Sequence, residues 1–219
     1  MPDLTIKPNA GSGNKVIVQD QAGGAVLTTA DSGATLGNST QDNITRLGTV
    51  TTGNLSNSAI VYPAGHIVDV KTAIYTGESA YGSNADGEAI TALSVTMNPA
   101  DGNDILITCH IACSAQSGIR GGFWVSKSGT SFLSGGVAAA NGSRHRAAAA
   151  FTGDGSNGLT QCSFQNLDVD PYTGSSITYR VIADGEGNYS INVNKSHTHS
   201  DSGSVYVAIS TITAMEIQR

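Results

Sequence analysis

Charge is scarce in this chain: Asp, Glu, Lys and Arg make up 13% of its 219 residues, with 11 basic against 17 acidic and a formal net charge of -6. No Lys/Arg cluster occurs, which excludes the basic patch that a nucleic-acid backbone or an anionic membrane surface requires. No run reaches the roughly 18 apolar residues of a membrane-spanning helix, so no membrane insertion is expected. The first residues also lack the basic start and apolar stretch of an export leader, so the expectation is a soluble chain outside the ordinary export route. Cysteine is nearly missing, and Cys109, Cys113 and Cys162 form an odd set without metal-ligand spacing. The first two sit in the strand-like ILITCHIACS, about 13 Å apart on one face, which is about twice the reach of a disulfide. Buried free thiols acting as small hydrophobes are expected. A helical period is absent too; even Ala147–Ala150, between Arg146 and Phe151, reads as strand.

Bulky apolar residues are the last shortage, confined to the first sixty residues. That tract runs on Gly, Ser, Thr, Asn and Ala. Ordering it costs about 1 to 2 kcal/mol of backbone entropy per residue, with little burial to offset the loss. Its short apolar clusters, Val16–Val18 and then Val26 and Leu27, read as extended pieces that pair with something outside the segment, copies of the same chain being the natural partner.

What is abundant is Gly, 27 residues, together with Ser and Thr, the balance of an all-β chain with many turns. The composition shifts near Tyr62–Gly65, which divides the chain into an extended N-terminal region, 1–64, and a body, 65–219. Strands are predicted at 67–75, 91–98, 104–114, 121–127, 145–152, 159–167, 176–183, 188–194 and 204–217, enough for an antiparallel sandwich or jelly roll. Period-two patterning places Ile105, Ile107, Cys109, Ile111 and Cys113 on one core face. It places Val205, Val207, Ile209, Thr211, Thr213, Met215 and Ile217 on another. Asp184-Gly185-Glu186-Gly187 predicts a hairpin between the strands at 176–183 and 188–194.

The stretch LTIKPNAGSGNKVIVQDQAGGAVLTTADSGATL resembles the repeat-like N-terminal part of tail-fibre and fibre-like virion proteins of marine bacteriophages, cyanophages among them. GHIVDVKTAIYT, ALSVTMNPADGNDILITCHIACS, SSITYRVIAD and STITAMEI are similar to the β-domain that follows in such proteins. The resemblance implies a homotrimeric, non-enzymatic virion protein on the particle exterior. Its N-terminal shaft or docking arm would meet other virion proteins, and its head would attach to a host surface glycan or protein. The alternative it leaves is a capsid or tail decoration protein. It transfers no binding residues, and no cofactor is expected.

Candidate site residues come from side-chain chemistry. Arg120, Trp124, Arg144, His145, Arg146 and Tyr172 are the guanidinium, imidazole and aromatic groups suited to a binding patch, although Trp124 could equally fill the core or an intersubunit seam. His197 and His199 form a His-x-His near Asp201 that could hold a transition metal, against the plainer reading of a solvated Ser-rich loop. Asp154, Asp168, Asp170 and Asp184 read as turn formers in preference to calcium ligands or a glycosidase carboxylate pair. No Gly-x-Ser-x-Gly elbow supports a serine nucleophile.

Overall fold

A computed structural model describes residues 14–19, 21–30, 33–36, 64–82, 87–127, 129, 131–155, 157–187, 189–198, 200–203 and 205–219. The chain divides into two units, Met1–Ser58 and Ala59–Arg219. Most of the expected N-terminal shaft, with Tyr62 and Pro63 of its boundary, lies outside the described residues.

In the first unit β1 (Ile17–Gln19), β2 (Ala25–Ala30) and β3 (Gly33–Leu36) form an antiparallel three-stranded sheet. Here the sequence reading needs correction, because these pieces pair with one another within one chain, Val18 opposite Leu27 and Thr28 opposite Thr35. Gly23, at φ 87°, supplies the left-handed turn that folds β1 back on β2. Ile17 and Val18 remain exposed.

The second unit holds β4 (Ile67–Tyr75), β5 (Ser79–Tyr81), β6 (Glu88–Met97), β7 (Asp104–Ser114) and β8 (Arg120–Lys127). It continues with β9 (Ala149–Thr152), β10 (Thr160–Asp168), β11 (Ile177–Gly185), β12 (Ile191–Val193) and β13 (Ser210–Ile217). The all-β expectation holds: every pairing is antiparallel, and the strands form two sheets in a sandwich. One sheet runs β4-β13-β7-β12-β5, with β10 also pairing β7; the other runs β6-β11-β8-β9. Between them, Ile105, Ile107, Cys109, Ile111 and Cys113 of β7 meet Phe123 and Val125 of β8 and Tyr179, Val181 and Ala183 of β11 in one buried cluster. All three cysteines are free and buried, as expected.

Two sequence readings fail here. The hairpin at Asp184–Gly187 does not form, because β11 pairs β6 and β8 while β12 pairs β5 and β7 in the opposite sheet. The chain crosses the edge of the sandwich instead, and a Cβ on Gly185 would meet the Tyr189 carbonyl oxygen at 2.4 Å, so the crossing needs glycine. The buried face of β13 is also inverted. Ser210, Ile212, Ala214 and Glu216 point into the core side, and Thr211, Thr213, Met215 and Ile217 point away from it. The two polar members are tolerated inside because they are hydrogen-bonded. Glu216 Oε1 accepts from Ala100 N at 2.8 Å and Asn103 Nδ2 at 2.6 Å. Ser210 Oγ accepts from Ala112 N at 3.0 Å and lies 2.6 Å from Asn194 Oδ1. Residues 205–209 stay outside the strand, and Val207 is bridged to Lys195, just after β12.

Candidate functional site

The solvent side of the β6-β11-β8-β9 sheet carries a cavity of about 330 Å³ at its β9 end. Its floor is nearly bare backbone: Gly122 stands opposite Ala150 on β9 and Asp184 on β11, and Gly121 opposite Phe151 and Gly185. Both glycines are enforced by packing. A Cβ on Gly121 would meet Phe151 Cε1 at 2.5 Å, on the core side where Phe151 stacks with Phe123 at 6.0 Å between centroids. A Cβ on Gly122 would meet Ala147 Cβ at 2.9 Å, where the segment before β9 closes over the strand. That segment is pinned by Ala148 N donating to Phe123 O at 2.8 Å.

An ion pair and an imidazole–carboxylate contact border the floor. Arg120 Nη1 lies 2.9 Å from Glu186 Oε1, and the backbone doubles the link, Glu186 N donating to Arg120 O at 2.9 Å. His145 Nδ1 lies 3.1 Å from Asp184 Oδ2. Arg144 completes the rim. Arg120 and His145 are largely exposed, so these pairs add little to stability and serve instead to hold donors and acceptors in place. Side-by-side guanidinium and carboxylate groups over an apolar floor can bind a ligand with vicinal hydroxyls, each of which both donates and accepts.

Of the six predicted binding residues, the structure brings Arg120, Arg144 and His145 together and sends the others elsewhere. Trp124 is buried, packed on Phe132 with centroids 4.9 Å apart beneath the loop that follows β8. Arg146 holds that loop, its guanidinium 4.6 Å from the Phe132 ring centre and its Nε donating to Ala138 O at 2.9 Å. Tyr172 lines a separate shallow depression with Asn98, Pro99 and Gly174. Asp184 and Glu186 are the residues that sequence reasoning missed as site groups, having assigned both to a turn. The adjacent glycines beside Arg120 were the available signal, since glycine within a strand marks a close approach.

Asp168, read as a turn former, accepts from Tyr179 Oη at 2.6 Å and pairs with Lys127 Nζ at 3.1 Å. Burial first, and then this bond, push the Tyr179 hydroxyl pKa above its ordinary value. His197 lies in the loop after β12, and His199 lies outside the described residues. Among the described residues no group of three His, Cys, Asp or Glu side chains gathers to hold a metal. The Cys113 thiol donates to Cys162 Sγ at 3.7 Å. That bond, and then burial, raise the Cys113 pKa.

No family model and no curated protein matches this chain. Among solved structures it is similar to one titled "Structure of infectious bursal disease virus Gx strain", at 14% identity and a TM-score of 0.31. The match covers 76% of this chain and 46% of that one, so the chain spans less than half of that protein's length.

Proposed function

We propose that this chain is a non-enzymatic virion fibre protein that self-associates as a homotrimer and attaches to polyhydroxylated sugars of the host surface through its sandwich head. The observation that carries the binding reading is the cavity in which Arg120, Arg144, His145, Asp184 and Glu186 ring the bare Gly121-Gly122 floor. The resemblance of the N-terminal and β-domain stretches to phage fibre proteins, read from the sequence, supports the virion setting. Linked heads support attachment physically, because joining weak single-site contacts raises avidity with no new type of contact. Each carboxylate is already engaged, Glu186 by the Arg120 guanidinium and Asp184 by the His145 imidazole, an arrangement for holding a ligand in preference to protonating a leaving group.

The test is binding of the purified chain to an array of neutral and acidic bacterial-surface glycans, with Arg144→Ala beside it. Binding that falls about tenfold or more in Arg144→Ala, without release of reducing sugar, is the expected result. Equal binding by the variant, or no binding by either protein, overturns the reading. A decoration role predicts label spread over the whole shell of the particle in electron microscopy, and a fibre role predicts label at one vertex.

A further inference from the structure

The solvent side of the other sheet has a different character. Met215 of β13 stands opposite Val70 of β4 on one side and Leu106 of β7 on the other, and Leu106 stands opposite Leu167 of β10. Four apolar side chains therefore form one unbroken row across four neighbouring strands, all pointing away from the core. Val70 is 50% exposed and Leu167 48%. Next to this row Ile217 pairs with Ile67, itself 48% exposed. On the other side Thr72, Thr213 and Thr108 form a second row, closed by a 3.0 Å contact between the Thr72 and Thr213 hydroxyls.

We infer that this face is a self-association surface, and that its occupant is a second copy of this chain within the homotrimer. Three observations select that occupant. The two rows carry no charged side chain; beyond the Val70 row Asp104 has Arg219 Nε 3.7 Å from its carboxylate, and beyond the Thr row His110 has its Nδ1 3.0 Å from Ser163 Oγ. A basic or acidic partner, or an anionic membrane, would find nothing there to pair with. Copies that each carry a formal charge of -6 repel through their other faces, and an uncharged face is where they approach at least cost. Finally, four strands at about 4.8 Å and the three rows just described, at about 6.6 Å each, give a face of roughly 380 Å² before corrugation, about half of the roughly 800 Å² that each partner contributes to a standard interface.

The inference rests on the self-associating reading proposed above, and it names the surface responsible. The experiment is light scattering of the full chain, of the double variant Val70→Lys/Leu167→Lys, and of Arg144→Ala as a control on the opposite sheet. Both lysine positions are half exposed, so the sandwich can hold them, and melting curves check that it does. The expected result is a mass of three chains for wild type and Arg144→Ala, falling to one chain in the folded double variant. A double variant that keeps the multimeric mass overturns this surface while self-association stands. A wild-type monomer overturns both, and means that something other than a second copy covers the face. If the double variant unfolds, Leu167→Lys alone makes the same measurement and is read the same way.

Discussion

Cys109 shows how burial sets a residue's response to pH. It sits wholly inside the sandwich, and burial pushes its thiol from an ordinary 9.0 up to about 12. Because the folded pKa lies above the unfolded one, this contribution to stability is complete below pH 9 and is lost as pH rises from 9 towards 12. Each unit climbed in that window removes up to about 1.4 kcal/mol. The melting temperature should therefore fall with pH above 9, and more gently in Cys109→Ala, which starts lower because of its cavity but has one proton fewer to lose. Thermal melts from pH 8 to 11 check this, and parallel curves for the two proteins would refute it. Cys113, Tyr81 and Tyr179 are also raised and steepen both curves in the same direction, so the difference between them reports Cys109. Glu216 makes the converse point: a carboxylate is buried here because backbone and side-chain donors from the turn before β7 meet it.

At the scale of elements, the sandwich depends on places where one strand's backbone admits another's side chains. Gly87, at the entry to β6, has φ 72°, and a Cβ there would lie 2.5 Å from Trp124 Cη2 and 2.6 Å from Ile182 Cγ2. Left-handed backbone and close packing both demand glycine at this position. Gly87→Ala should destabilise the head by about 2 to 4 kcal/mol, the sum of backbone strain and overpacking. Urea unfolding followed by Trp124 fluorescence measures it, and a loss below about 0.5 kcal/mol would show that the indole moves aside freely. The same element logic places the cavity. β11 ends at Gly185 and the chain leaves for the opposite sheet, so Glu186 is carried to the strand edge beside Arg120 and is not folded back in a hairpin. Among the described residues β4 has β13 as its one hydrogen-bonded neighbour, and its exposed Val70 belongs to the face that another copy would shield.

At the scale of the molecule, the two sheets turn different surfaces to solvent: bare glycine ringed by guanidinium, imidazole and carboxylate groups on one, uncharged Thr and aliphatic rows on the other. On the proposed reading, one sheet would hold a ligand and the other a second copy, and the two proposals are coupled through avidity. Val70→Lys/Leu167→Lys should leave the affinity of a single head for a soluble sugar unchanged. It should weaken attachment to a sugar-coated surface by roughly 10²-fold or more, since linked sites are lost. Surface plasmon resonance in both formats reads the difference, and equal losses in the two formats would place the damage in the cavity itself.

The sequence by itself determined the all-β class, the strands at 67–75 and 104–114, and the buried face of β7. Ile105 to Cys113 is apolar at every second position with no polar competitor, and local chemistry suffices there. It also supplied Arg120, Arg144 and His145 as groups to watch, from their chemistry alone. Only the tertiary structure decided which face of β13 is buried. The odd positions are the more apolar, yet Ser210 and Glu216 go inside because Ala112, Asn194, Ala100 and Asn103, all distant in sequence or on other elements, satisfy them. Likewise Asp184 and Glu186 looked like a turn, and became cavity walls once β12 joined the opposite sheet. Hydrogen-bond partners and sheet membership are long-range properties, so a pattern read along the chain carries the period of a strand but not the choice between its two sides.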